Sequence, residues 1–186
     1  EKPDNQEKPE INDNNKPENQ EKPDNQEEPD DQEKPEPSDN TTSEKKEVDF
    51  GLIVNNSGYK LNDSYITGIN VNTSVSSFIN SIKKQDALVD VSVLKNDVKL
   101  NDKDFIGTGT TIKLSKDEQN SSFEIVIYGD ASGDGKINAL DLLKVQKHIL
   151  GLSKLNGSYL SAANSSKDKE NIVNALDLLK IQKHIL

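Results

Sequence analysis

Oxygen-bearing side chains alternate along a short stretch that begins at Asp130. Asp130, Ser132 and Asp134 supply side-chain oxygens at every second position, and Gly135 follows where the chain must turn sharply. Asp141 adds a further carboxylate as the next helical pattern begins. Hard cations such as calcium take about six to eight oxygen ligands at roughly 2.3–2.6 Å, and this spacing wraps oxygens around one point. The stretch therefore predicts a calcium site.

The full spacing from Asp130 to Asp141 is that of an EF-hand calcium loop. The predicted ligands are oxygens of six residues: Asp130, Ser132, Asp134, Lys136 through its backbone carbonyl, Asn138 directly or through water, and Asp141. The closing residue is Asp where Glu is usual, and the preceding FEIVIY segment is typical of a strand. The prediction is therefore half an EF-hand, a loop with its exiting helix. The alternative is an Asp/Gly turn that only caps a helix, where an acidic residue is favourable anyway.

The stretch behind this loop is present twice. Residues 138–150 read NALDLLKVQKHIL and residues 174–186 read NALDLLKIQKHIL, which are identical at twelve of thirteen positions. Each copy predicts an amphipathic helix that begins near its Asp, and SYLSAA between them predicts a short helical turn. The predicted apolar faces are Leu142, Leu143, Val145, Ile149 and Leu150, and in the second copy Leu178, Leu179, Ile181, Ile185 and Leu186. We expect the two helices to bury these faces against each other.

A second, weaker loop precedes the second copy. Counting back from Asp177 places Ser166, Asp168 and Glu170 at the first, third and fifth ligand positions. Counting forward instead places Asn164, Ser166 and Asp168 there, with two extra residues before Asp177. We favour the forward register. Because both registers lack an initial Asp and so carry fewer charged ligands, this loop is expected to bind calcium more weakly than the first.

The region 48–129 shows a different pattern. Val75, Phe78, Ile79 and Ile82 form one helical stripe, with Asn72 or Thr73 as the predicted N-cap. Apolar and polar residues alternate in 88–100, 110–115 and 121–129, and 59–69 predicts one or two short strands. Within 88–100, Asn96 and Asp97 predict a turn. The expected fold is a small α+β module with one helix on an antiparallel sheet. Glu124 is expected to point to solvent.

The first 47 residues are acidic and low in complexity. They contain all seven prolines, and 17 acidic residues against 7 Lys, whereas residues 48–186 carry 16 of each charge. Such a composition cannot bury enough apolar surface to offset its ordering entropy, so a disordered spacer is expected, with an acidic recognition tail as the alternative. The balanced remainder carries no basic patch for nucleic acid, no run long enough to span a membrane and no catalytic constellation.

The duplicated loop and helix, with NxxD at each junction followed by LLKxQKHIL, resembles the type I dockerin family over roughly residues 129–186. The resemblance implies two calcium ions, one on the six first-loop residues and one on Asn164, Ser166, Asp168 and Asp177. It also implies a cohesin module on another protein as the partner. The partner-binding positions carried over are Ala139, Leu140, Lys144, Lys147 and His148, and Ala175, Leu176, Lys180, Lys183 and His184. The near-identical copies predict two binding orientations.

These inferences divide the chain into a disordered acidic linker at 1–47, a dockerin-associated α+β module at 48–129 and an all-α dockerin with two EF-hand-like units at 130–186. We expect the fragment to be non-catalytic and monomeric before docking. Its parent is expected to be a secreted or cell-surface protein, with a hydrolase upstream, that joins a cellulosome-like extracellular complex. The alternative function is a calcium-stabilised structural cap or self-association module without a cohesin partner.

Overall fold

Alternation of apolar and polar residues produces a six-stranded sheet in the first half of the described chain. The computed structural model describes residues 46–167 and 172–186, which belong to one compact unit, Glu44–Leu186. The strands are β1 Lys60–Asn62, β2 Tyr65–Thr67, β3 Asp90–Lys95, β4 Val98–Lys99, β5 Thr111–Lys116 and β6 Gln119–Ile125, in the spatial order β1-β2-β6-β5-β3-β4. The predicted linker lies outside the described residues except for its last two positions, so its disorder stays a prediction.

The sheet is mixed, which corrects the expectation of an antiparallel sheet. Four of its five neighbouring pairs are antiparallel, but β2 runs parallel to β6, with Tyr65 opposite Glu124 and Ile66 opposite Ile125. The β1–β2 hairpin therefore joins the sheet through a strand of three residues. A pattern that short identifies a strand but carries no information about its partner, because pairing is decided by distant contacts.

Two tight turns connect antiparallel neighbours, β3 with β4 and β5 with β6. The predicted turn at Asn96 and Asp97 is confirmed, and Asp117 and Glu118 form an equivalent turn between β5 and β6. All four residues have positive φ, between 50° and 66°. Such left-handed pairs match the twist of an antiparallel hairpin, and Asn and Asp tolerate this conformation better than most residues.

Two helices accompany this sheet, where one was expected. Helix α2, Val75–Lys83, buries the predicted stripe through Val75, Phe78 and Ile82, but its N-cap is Ser74, not Asn72 or Thr73. Helix α1, Phe50–Asn56, was not predicted and buries only Phe50 and Val54. A helix of two turns with two buried apolar residues gives too little periodicity to stand out from the sequence.

The C-terminal half contains three helices in the residues that the structure describes. No helix among the described residues, in either half, is long and apolar enough to cross a membrane. The three C-terminal helices are α3 Ala139–Ile149, α4 Gly157–Ala163 and α5 Ala175–Ile185. Val145 of α3 and Ile181 of α5 share one buried cluster and are 0% and 1% exposed. The only difference between the two copies therefore falls at their most buried apolar position.

The predicted apolar faces are wider than the surface that the helices bury. Leu142 and Leu178 pack against the cluster, as expected. Six others that were expected to be buried are instead exposed: Leu143, Ile149, Leu150, Leu179, Ile185 and Leu186. A helix has a single stripe that can face one partner helix, so the additional leucines and isoleucines lie on flanking sides.

Candidate metal centre and partner-binding face

Three carboxylates of the first loop converge on one point. Oxygens of Asp130, Asp134 and Asp141 all lie within 4.8 Å of one another. An ion bound at about 2.3–2.6 Å from each ligand bridges oxygens up to roughly 4.6–5.2 Å apart, so one calcium fits between them. Asp130 and Asp141 are fully buried, and Asp134 is exposed. The cluster offers only oxygen donors, which suit a hard cation.

Backbone amides fix the Asp130 carboxylate. Its Oδ1 accepts the N–H of Gly133 at 2.8 Å, and its Oδ2 accepts the N–H groups of Thr108 at 2.8 Å and Gly135 at 3.1 Å. Burial raises the pKa of this carboxyl, the three N–H groups oppose that shift, and the charge of Asp141 adds to it. A buried anion with a raised pKa is a group that a bound cation stabilises strongly.

Asp141 closes the loop through the first turn of α3. Its Oδ2 accepts the N–H of Asn138 at 2.8 Å, and its Oδ1 accepts the N–H of Ser132 at 2.7 Å. The first bond is half of a capping box, and its other half is the backbone N–H of Asp141 donating to the Asn138 side chain. The same side chain also accepts the N–H of Leu140 at 2.8 Å. The start of the helix and the closure of the loop therefore depend on the same carboxylate.

Asn138 and Lys136, two of the predicted ligands, both donate hydrogen bonds to Asp134. Asn138 uses its amide oxygen to cap α3, and its Nδ2 donates to Asp134 Oδ2 at 3.0 Å. Asp134 also accepts the N–H of Lys136 at 2.9 Å. Asn138 thus orients a carboxylate of the cluster. The ligand roles of Asn138 and of the Lys136 carbonyl stay predictions.

The carboxylate cluster has no cationic side chain as a partner in the part of the chain that the structure describes. There, the only side-chain ion pair joins Lys116 to Asp86, at 2.6 Å. Hydrogen bonds from neutral amides stabilise carboxylates without cancelling their charge. Three carboxylates this close therefore favour a bound cation, and the donor set fits calcium.

The second loop repeats part of this hydrogen-bond pattern. Asp177 accepts the N–H groups of Ser166 at 2.7 Å and Asn174 at 2.9 Å, as Asp141 does from the equivalent residues of the first loop. Ser166 Oγ donates to Asn164 Oδ1 at 3.1 Å, in the way that Ser132 meets Asp130. The pattern favours the forward register, with two extra residues between Ser166 and Asn174. Asp168 lies outside the described residues.

The predicted partner-binding residues lie on the accessible sides of α3 and α5. Eight of them are exposed, with Leu140 at 46% and Leu176 at 52%, beside Ala139, Ala175, Lys147, Lys180, Lys183 and His184. Lys144 is half-buried, with its ammonium 5.8 Å from the Tyr159 ring centroid. A groove beside α3 is lined by Leu140, Leu143, Lys144, Lys147, Lys154 and Tyr159, among others. The faces combine apolar and basic side chains.

The two histidines differ, although they occupy equivalent positions. His148 is half-buried, and its Nδ1 accepts the backbone N–H of Leu155 at 2.9 Å. Burial, followed by the charge of Lys154, lowers the pKa of His148. His184 is exposed. His148 therefore fastens the segment after α3 to the helix, a role that its sequence position beside Lys147 did not indicate.

Several site residues were missed from the sequence. Thr108 donates to Asp130 from a distant loop, and the flanking Gly107 and Gly109 were the only local sign of a close approach. Glu124, expected in solvent, is half-buried and accepts a 2.7 Å hydrogen bond from Ser158 of α4. The α+β residues therefore take part in holding the C-terminal half.

A carboxylate-rich loop that closes on the first turn of a helix, with part of its bonding repeated before a second helix, defines an EF-hand-like loop–helix protein. Residues 128–186 match the family model of the dockerin type I domain, and this part of the chain is a type I dockerin. Dockerins are non-catalytic modules that bind calcium and mediate calcium-dependent protein–protein interaction, usually with cohesin modules. Comparisons with curated proteins and with solved structures found no match.

Proposed function

We propose that the C-terminal region binds calcium at the first loop and, in that state, docks its parent protein onto a cohesin module of another protein. The observation that carries the proposal is the direct link between the two features. Asp141 belongs to the carboxylate cluster and also caps α3, whose first residues, Ala139 and Leu140, are exposed. Calcium therefore orders the helix that presents the docking face.

Six first-loop residues are proposed as ligands: Asp130, Ser132, Asp134, Lys136 through its carbonyl, Asn138 and Asp141. A second, weaker ion is proposed on Asn164, Ser166, Asp168 and Asp177. Asn164 stands where the first loop has Asp130, so the second site has one formal charge less at that position. Because ligand charge tunes affinity, the first loop is expected to fill at lower calcium concentration.

The proposed docking face consists of the exposed residues of both helices. Around α3 the groove brings together Leu140, Leu143, Lys144 and Lys147, and the described lining contains no acidic residue. The complementary cohesin surface is therefore apolar at its centre and acidic around it. Ala175, Leu176, Lys180, Lys183 and His184 present similar chemistry on α5. Either face is proposed to engage the cohesin, in orientations related by about a half turn.

The surrounding context supports an extracellular role. We propose a disordered linker at 1–47, an α+β module at 48–129 and the dockerin at 130–186, which is monomeric before docking. The parent protein is proposed to be secreted or attached to the cell surface, and its catalytic part is proposed to lie upstream of these 186 residues. Dockerin-containing proteins are typically extracellular, which supports this location.

Isothermal titration of the chain with a panel of purified cohesin modules, in calcium and in EDTA, tests the proposal. Binding is expected in calcium only. Leu140→Asp and Leu176→Asp should each retain binding, and the double variant should lose it. Leu88→Asp is the matched control, because Leu88 is 74% exposed but belongs to the α+β region. Loss of binding in either single variant would contradict the two orientations.

One observation favours a second candidate function, a calcium-stabilised cap without a cohesin partner. The α+β region contacts the first loop directly, through the hydrogen bond from Thr108 to Asp130. A purely structural role predicts that calcium raises the midpoint of thermal unfolding while every cohesin in the panel fails to bind. Calcium-dependent binding of any cohesin would reject this alternative.

A further inference from the structure

The segment from Phe105 to Thr110, between β4 and β5, lies directly against the first calcium loop. The backbone N–H of Thr108 donates to Asp130 Oδ2 at 2.8 Å. Nearby, the N–H of Asn72 donates to the carbonyl of Gly135 at 2.8 Å. Both donors belong to the α+β region, and both acceptors belong to the loop. Each of these two hydrogen bonds joins residues that are at least 22 positions apart in the sequence.

The two backbones approach so closely that glycine is required on both sides. A Cβ atom on Gly107 would lie 2.3 Å from the carbonyl oxygen of Gly133, and one on Gly135 would lie 2.6 Å from the carbonyl oxygen of Ile106. These distances are far shorter than van der Waals contact, and the obstructing atoms are backbone. Gly107 does not have a positive φ, so its small size matters here and not its conformational freedom.

Thr108 is itself held rigidly. It is fully buried, and its Oγ1 accepts the N–H of Ile127 at 3.0 Å. Its carbonyl oxygen accepts a hydrogen bond from the Lys95 ammonium, which also lies 5.3 Å from the centroid of the Tyr159 ring. The residue whose N–H reaches Asp130 is therefore held by Ile127 and by Lys95 of β3.

We propose that this segment is a positioning part of the first calcium site, so that calcium binding and the order of residues 105–110 are coupled. The inference rests on calcium binding at the first loop. Thr108 holds Asp130 in the orientation that faces Asp134 and Asp141. Groups that orient metal ligands from outside typically change metal affinity by about 10–100-fold when they are altered.

The decisive variant is Gly107→Ala, which changes no residue of the calcium loop but places a methyl group against Gly133. Gly51→Ala is the matched control, because Gly51 also lacks a positive φ and its added Cβ would meet only side chains, those of Asp49 and Leu61. Ile112→Val is a second control, since it loosens the buried core of the same sheet without approaching the loop.

Hydrogen–deuterium exchange of the whole chain across a calcium titration provides the readout. We expect the calcium concentration that half-protects the 129–141 peptide to rise about 10–100-fold in Gly107→Ala and to stay unchanged in both controls. In the wild type, amides of 105–110 should gain protection at the same calcium concentration as 129–141. This second measurement decides the question if Gly107→Ala does not fold.

The proposal is overturned if Gly107→Ala folds and keeps the wild-type midpoint, or if calcium leaves exchange in 105–110 unchanged while it protects 129–141. An equal rise in Ile112→Val would also overturn it, because that result would show a general effect of stability. A wild-type 129–141 peptide that does not respond to calcium would instead reject the proposed function, and with it this inference.

Discussion

Asp130→Asn tests the proposed first calcium site with almost no change in side-chain size. In the wild type both carboxylate oxygens accept backbone N–H groups, Oδ1 from Gly133 and Oδ2 from Thr108 and Gly135. An asparagine has one oxygen, so either orientation of its amide points an NH₂ group at an N–H donor. A buried donor left without an acceptor costs about 1–3 kcal/mol. Burial disfavours the charged form of Asp130 and raises its pKa, so removal of this charge offsets part of the cost.

The variant is therefore expected to lose little stability in EDTA and much more in calcium. A ligand that binds only the folded state adds about 2.7 kcal/mol at a concentration 100 times its Kd, and the variant should lose most of that increment. Urea denaturation in EDTA and in calcium measures both values. Asp97→Asn, in the exposed turn between β3 and β4, makes the same charge change and should keep the full increment. A wild-type calcium increment in Asp130→Asn would refute the assignment of Asp130.

Two further predictions concern the helices. The pKa of His148 is lowered in the folded state, so the unfolded chain binds the proton more readily. The stability that neutral His148 contributes should therefore be fully present above about pH 6.5 and be lost as the pH drops through the folded pKa. Urea midpoints at neutral and acidic pH check this, with His148→Gln expected to flatten the dependence. Ile181→Ala, at 1% exposure, should cost about 2–5 kcal/mol of unfolding free energy, whereas Leu179→Ala, at 53% exposure, should stay within about 0.5 kcal/mol.

The sequence was most informative where the structure depends on neighbours in the chain. The first loop assembles from residues within one short segment, so the spacing of Asp130, Asp134 and Asp141 was enough to predict their convergence. The Asn96–Asp97 turn and the stripe of α2 are equally local. In each case, the residues that specify the feature are also the residues that form it.

Features that depend on distant segments were missed or mistaken. The parallel pairing of β2 with β6 and the contact of Glu124 with Ser158 join residues that no periodicity relates. Ser74 caps α2, whereas Asn72, also an acceptable cap by residue type, donates its N–H to Gly135 instead. Residue preference gave a short list of caps, and tertiary contacts selected among them.

The two halves of the dockerin are less alike than their helices suggest. The first loop starts with a buried aspartate that Thr108 of the α+β region holds in place, and in the proposed register the second starts with Asn164, at 4% exposure. Likewise, His148 is engaged by Leu155, whereas His184 is exposed. Nearly identical helix faces therefore rest on different supports. In the function that we propose, calcium acts on both helix faces through these contacts. Falling calcium is therefore expected to weaken binding by the α5 face before binding by the α3 face, although the proposed contact residues are the same.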